Sequence, residues 1–361
     1  MRFFSRKTVV FAAALAAFSV SGCSREPEGP DYVLTYAENQ PEDYATTLGA
    51  YEFARLVEAE TDGRIVIRVV SDGELGDEEE IWKQLKLGGI DFARMSLSPL
   101  VDDLPKLNVL FLPYLYRDDT HMWAVLDGEM GEEFLAEFEG SGGKALSWYD
   151  GGARNFYTVH GPVRSPEDLE GLRIRIQSSE MMEDLVEALG AVKGMRIRVQ
   201  ESSLMEDVIR ALGATPVPIA FEDVYRALQI HQVDGAENNW SSFESSGHYR
   251  VAGYYTVDEH SRVPEVQLVS ESAWEKLSAK DREILLRCAK ESAAYEREMW
   301  KRQQEEAERA VWESGCTVIE LSAEEKEAFY RCVEPVYDKY CAEYMDIVEK
   351  IRKIGEHERE E

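Results

Sequence analysis

The sequence is poor in positive charge. Only 40 Lys and Arg stand against 70 Asp and Glu, a formal net charge of −30. Phosphate backbones are bound through basic patches, so nucleic acid and anionic lipid headgroups are disfavoured as partners. Cysteine is scarce as well, at five in 361 residues. No CxxC and no Cys/His pair has metal-ligand spacing, so no metal is expected. The six histidines form no HExxH, and GxSxG, the P-loop and the dinucleotide-binding glycine fingerprint are missing. These absences argue against an enzyme and against any cofactor. The apolar run from Thr8 to about Val20 is too short to read as a membrane span.

That run has another reading. It follows Arg2, Arg6 and Lys7 and ends in Val20-Ser21-Gly22-Cys23, as a secretory signal does. The last four residues resemble a bacterial lipobox, which implies a signal peptide over 1–22 and lipidation of Cys23. Residues 23–31 read as a polar tether. The mature protein is then expected outside the cytoplasm, held to the membrane surface by a lipid anchor alone. Cys288, Cys316, Cys332 and Cys341 crowd the C-terminal quarter. They are read as buried free thiols, with one disulfide through Cys288 or Cys316 as the alternative.

The remainder alternates strand and helix patterns. "YVLTYA", "RIVIRVV" and "IDFARMS" read as strands, and "ATTLGAYEFARLVEAE" and "DEEEIWKQLK" as the helices between them. Repeated βαβ units imply a largely parallel sheet. From Ser278 a long stretch without Pro or Gly reads as one helix, too long to sit inside one domain. The expected fold is α/β, two lobes whose segments interleave. Lobe I takes 32–150 and about 241–278; lobe II takes about 151–240 and 310–335. A helix over 279–314 braces both, and 336–361 forms a charged C-terminal helix. The crossings are placed at Gly151-Gly152 and near Trp240. A ligand belongs between the lobes, at the C-terminal ends of strands.

One segment is written twice. "GLRIRIQSSEMMEDLVEALGA" (171–191) is followed by "GMRIRVQESSLMEDVIRALGA" (194–214), a repeat unit of 23 residues. Strand alternation puts Arg173 and Arg175 on one face, and Arg196 and Arg198 on the equivalent face of the second copy. Such a face is either solvated or lines a cleft. In a cleft, the planar guanidinium suits a carboxylate, which it meets with two parallel hydrogen bonds.

"PVPIAFEDVYRALQIHQVDGAENN" resembles the hallmark stretch of the DctP-type extracytoplasmic solute receptors of TRAP transporters. "GELGDEEEIWKQLKLGGIDFARMS", "FLPYLYRD", "GGARNFY", "RSPEDLEGLRIRI" and "HYRVAGYYTVDEHSRVPEV" resemble further family blocks, in family order. The resemblance spans essentially the whole mature chain. It implies a two-domain periplasmic-binding-protein-like fold and a receptor that closes its lobes on an organic acid, such as a uronate or a C4-dicarboxylate. It also implies delivery to the small and large membrane subunits of a symporter. A sensory receptor of the same fold, feeding a signalling protein, is the alternative.

The resemblance also assigns residues. An anchor arginine in the strand after "DLEGL" falls on Arg175 or Arg198, and a second basic residue on Arg154. Asn238 and Glu237, Phe221, His260, Asn39 and Ser96 complete the implied ligand set. Entry signal "SPEDLEG" belongs to the first copy and exit signal "TPVPIAF" to the second. Only the second carries a capping box, Ser203 to Glu206; the first has Met182 where that Glu would be. On this ground the anchor is expected at Arg198, with the first copy an added strand and helix at a sheet edge or a surface excursion.

Overall fold

A computed structural model describes residues 29–169, 174–175, 196–197, 215–216, 223–262 and 264–355. The strands are β1 (Tyr32–Ala37), β2 (Ile65–Val70), β3 (Phe92–Ser96), β4 (Gly143–Tyr149), β5 (Ala153–Thr158), β6 (Ile174–Arg175), β7 (Arg196–Ile197), β8 (Thr215–Pro216), β9 (Gly235–Asn238), β10 (Tyr254–Arg262), β11 (Glu265–Ser270) and β12 (Thr317–Glu320). They form two five-stranded sheets, ordered β2-β1-β3-β11-β4 and β12-β10-β5-β9-β6, and a two-stranded sheet of β7 and β8.

Both large sheets are mixed rather than largely parallel. β1 runs parallel to β2 and β3, but β11 is antiparallel to both β3 and β4. In the second sheet β5 is antiparallel to β9 and β10. The strands that carry the chain between sheets account for this. β4 leads into β5 and β10 into β11, and each enters its new sheet against the grain of a neighbour.

The first crossing lies at Asp150-Gly151-Gly152, as the glycine pair suggests. The second does not lie near Trp240. β10 still pairs with β5 and β12, so the chain changes sheets between Arg262 and Glu265. The 310–335 stretch also divides. β12 joins the second sheet, whereas Phe329, Val333 and Tyr337 pack with Leu107, Val109 and Phe111 in the core beside the first. Tyr337 donates to the Pro113 carbonyl at 2.6 Å, fixing that contact.

Helix α1 (Ala45–Glu60) buries Phe53, Ala54 and Val57 over the first sheet. α2 (Glu78–Lys86) begins at Asp77, whose side chain accepts from Glu80 N, and holds Glu78, Glu79 and Glu80 in its first turn. Acid there complements the exposed N–H groups of the helix start. α3 (Trp240–Ser245) lies beside the second sheet. α4 (Ala279–Glu313) is capped by Ser278, which accepts from Asp281 N, and runs 35 residues, about 50 Å. Its Ile284, Leu285 and Cys288 pack with Phe53 and Val57, and its Ala307 and Val311 with Tyr157, Phe243 and Tyr255. One helix thus contributes to the cores of both lobes. Its Tyr295 is 36% exposed, and the buried stripe passes through Ser292, Ala293 and Glu296.

The crossing is tightly built. Gly152 has φ +70°, and a Cβ there would stand 2.7 Å from Trp300 Cζ2. Asn239 donates to the Gly151 carbonyl at 3.0 Å. Tyr44 meets the Trp300 ring edge-on at 5.6 Å and shares a 3.0 Å hydrogen bond with Ser242 in α3. Glycine is required at position 152 both for backbone hand and for room. The four described cysteines are free, with Cys288, Cys316 and Cys341 buried. Among the described residues no helix is long and apolar enough to cross a membrane.

Candidate functional site

Two charged clusters are built on strand ends and on the crossing strands. On the first lobe, Glu38 and Asn39 follow the C-terminus of β1, Arg94 and Ser96 close β3, and Glu265 opens β11. C-terminal ends of parallel strands are where open α/β sheets place ligands. Arg94 is only 2% exposed. Its Nε donates to both Glu38 carboxylate oxygens at 3.1 Å, and its Nη1 to Glu78 at 3.1 Å. Its Nη2 binds Glu38 and Asn39, and Glu265 lies 3.1 Å from Nη1. Every nitrogen of this guanidinium therefore has a partner. Glu78 turns inward from the first turn of α2 and also accepts from Ser96 N at 2.9 Å and Ser96 Oγ at 2.6 Å.

The formal count is one cation against three carboxylates. Burial pushes the Glu265 carboxyl up to about 8; Arg94 opposes the shift, while Glu78 and Glu38 add to it. The acid excess continues into the crossing. Burial and Asp119 raise Asp150 to about 6. Burial and Asp150 hold Glu296 well above the carboxylate range. Glu296 accepts from Asp150 N at 3.0 Å.

On the second lobe, β5, β9 and β10 bring four expected residues together. Asn155 pairs with Asn238 and Phe156 with Glu237 across β5 and β9, and Arg154 pairs with Ser261 across β5 and β10. Arg154 Nε and Nη2 hold Glu237, Nη2 at 2.8 Å from its carboxylate and 3.1 Å from its carbonyl. Arg154 Nη1 makes no hydrogen bond among the described residues. Glu237 is fully buried; burial would raise its carboxyl, but Arg154 and His260 hold it down at about 2. His260 is also fully buried, its Nδ1 at 2.8 Å from Asp258 and its Nε2 at 3.5 Å from Glu237. The longer contact is electrostatic rather than a directed hydrogen bond. Burial alone would lower His260; Asp258 and Glu237 overcome it and hold the imidazolium to about 9. Its ring stacks on Phe156 at 4.4 Å. Asp258 further accepts from Phe156 N and Tyr114 Oη, both at 3.1 Å. Asn238 Oδ1 accepts from Asn239 N at 2.9 Å, and its carbonyl from Tyr255 Oη at 3.1 Å.

Arg154, Glu237, Asn238 and His260 thus form one cluster, and Asn39 and Ser96 belong to the opposing one. Arg198, Phe221 and Cys23 lie outside the described residues. The backbone of Arg175 is in β6, paired with Ala236, next to Glu237 in β9. β7 of the second copy pairs with β8 instead, Ile197 opposite Pro216. Ile174 and Ile197 are equivalent positions of the repeat, so the two copies divide two strand pairings that one strand could make from its two edges.

Sequence reasoning missed Arg94, Glu38, Glu78, Glu265 and Asp258. The available signal was Arg94 itself, a single charge inside the apolar run "FARMS". Three arginines are buried among the described residues. Arg94 is fully engaged, and Arg262 is held by Asp119 and by Glu259 at 3.0 Å. Among the described residues Arg154 Nη1 and Arg262 Nε make no hydrogen bond. The clusters hold no activated nucleophile, and among the described residues no group of three His, Cys, Asp or Glu is placed to hold a metal.

The sequence profile of "Bacterial extracellular solute-binding protein, family 7" (DctP) matches residues 36–192 and again 192–343. The two matches meet inside the duplicated region. The chain is 30% identical to the C4-dicarboxylate-binding periplasmic protein DctP of Rhodobacter capsulatus, over 81% of each protein. A TRAP periplasmic solute-binding protein of Bradyrhizobium sp. BTAi1, solved with α/β-D-galacturonate, superposes with a TM-score of 0.78 at 34% identity. It covers 88% of this chain and 99% of that one. A TRAP periplasmic solute-binding protein of Pseudomonas putida F1 with bound D-glucuronate superposes with a TM-score of 0.79 at 29% identity, covering 90% and 97%.

Proposed function

Since the chain belongs to family 7 of the bacterial extracellular solute-binding proteins, we propose that it captures an organic acid between its lobes and delivers it to a TRAP-type membrane symporter. It is a binding protein and performs no chemistry on its ligand. In this reading the lipid on Cys23 anchors the exported protein to the membrane surface, facing the periplasm or the cell exterior.

One observation supports the carboxylate specificity most. Each buried arginine with a described side chain is already paired with a carboxylate of the protein. A ligand carboxylate needs a countercharge in this acidic protein, and the duplicated segment is our proposed main source of it. Of its two equivalent arginines, Arg175 is our choice. Its strand is the one hydrogen-bonded to β9, whose next residues are Glu237 and Asn238. This pairing outweighs the capping box that favours Arg198. Arg154 Nη1, oriented by the Glu237 pair, is the second donor. The net charge of −30 opposes an incoming anion, but at physiological salt the field fades over about 8 Å. Inside the cleft the local arginines decide.

Thermal-shift screening against uronates, dicarboxylates, 2-oxo acids and sialic acid tests the reading. A ligand at a hundred times its Kd stabilises by about 2.7 kcal/mol, and the midpoint should rise by roughly 5 °C or more. No rise with any acid contradicts it.

A further inference from the structure

We propose that the wall formed by Arg94, Glu38, Glu78 and Glu265 is a filter that accepts hydroxyl groups and rejects a second carboxylate, making the ligand a polyhydroxylated monocarboxylic acid rather than a dicarboxylate. The proposal rests on the receptor reading above and specifies its substrate class.

The two clusters are unequal in what they offer. The second lobe sets Arg154 and the charged His260 against Glu237 and Asp258, a balanced count. The first lobe sets one arginine against three carboxylates. A receptor for a dicarboxylate needs a donor group for the far end of its ligand. Arg94 is the buried cation of the first lobe's cluster, and none of its nitrogens is left over. A second ligand carboxylate would instead meet Glu78, whose side chain keeps 16% exposure, with the buried Glu38 charge behind it, in surroundings where burial already drives Glu265 to hold its proton. Like charges at close range in a poorly solvated site repel strongly.

Hydroxyl groups fit the same wall. Carboxylates accept from them, each oxygen having more than one lone pair. The side chains of Glu78 and Glu265 each keep 16% exposure and are the accessible carboxyl groups of the wall. Arg94 and Ser96 fix the Glu78 carboxylate from three sides, so its remaining acceptor directions are set before any ligand arrives. The ligand is then read lengthwise, with its carboxylate toward the second lobe and its hydroxyl-bearing edge toward the first. A sugar acid in the uronate class has this distribution, whereas succinate and malate do not.

Calorimetric titration of the wild-type protein with D-galacturonate, D-glucuronate, galactarate, malate and succinate is the test, repeated with Glu78→Gln. At least one uronate should bind about 100-fold tighter than every diacid. Removing the Glu78 charge should narrow that ratio at least tenfold, by strengthening the diacids. A diacid that binds wild type within tenfold of the best uronate overturns the filter and leaves the receptor reading intact. An unchanged ratio in a folded Glu78→Gln protein also overturns it. If no acid binds at all, the receptor reading fails first and takes the filter with it.

Discussion

Arg175→Ala abolishes measurable ligand binding, and Arg198→Ala leaves it within a few-fold of wild type: this is the largest effect expected of any single substitution here. Removing one partner of a desolvated charge pair costs about 2–5 kcal/mol, or roughly 30-fold to several-thousand-fold in affinity. The physical ground is placement. β6 adds to the edge of the second sheet beside β9, where Glu237 and Asn238 stand. β7 pairs apart from that sheet, with β8. Arginine cannot be replaced conservatively at such a position, because lysine lacks the planar fork. Titration of the two alanine variants reads the result. Loss of binding in Arg198→Ala alone would restore the capping-box assignment.

The second large effect is on stability against pH. Glu265 and Asp150 have raised values, about 8 and about 6, and burial holds Glu296 well above its ordinary range. Over the interval between the ordinary and raised values, the folded protein binds more protons than the unfolded chain. Stability therefore falls as pH rises through it. His260 acts in the same sense. Its value is raised to about 9, so its contribution is complete below about 6.5 and is lost as pH climbs through 9. Glu237 works oppositely. Held at about 2, it stabilises above the ordinary carboxylate range and loses that contribution as pH falls toward 2. On these groups stability should peak near the ordinary carboxylate values, at about pH 4, and fall from there, with a loss of about 3–6 kcal/mol between pH 6 and 9. For a folded state commonly worth about 5–15 kcal/mol, that is a large fraction. Urea unfolding at pH 5.5, 7 and 9 measures it, and Glu265→Gln should flatten the upper part of the slope. Stability that is level or rising over this interval contradicts the account.

Local pattern made much of the fold legible. The periodicity of "YEFARLVEAE", the acidic first turn of "DEEEIWKQLK" and the unbroken run after Ser278 each became the helix they imply. Gly151-Gly152 marked the first crossing because a sharp change of direction beside Trp300 leaves no room for a side chain. The second crossing carries no such mark. β10 and β11 are separated by two residues, and only their long-range pairing shows that they belong to different sheets. The same limit applied to the site. Family likeness brought Arg154, Glu237, Asn238 and His260 to one place. That Arg154 is bound to Glu237, rather than both being free for ligand, depends on register across β5 and β9. The cluster around Arg94 assembles from residues as far apart as 38 and 265, and no spacing in the sequence announces it.

The central claim is capture through a carboxylate. Its most direct measurement is calorimetric titration of the purified protein with D-galacturonate and, separately, with D-galactose, which lacks the carboxylate. The account predicts saturable binding of the acid and at least 100-fold weaker binding of the neutral sugar, the ratio expected from losing a buried charged contact of about 3 kcal/mol. Equal affinity for the two, or binding of the sugar alone, would contradict it.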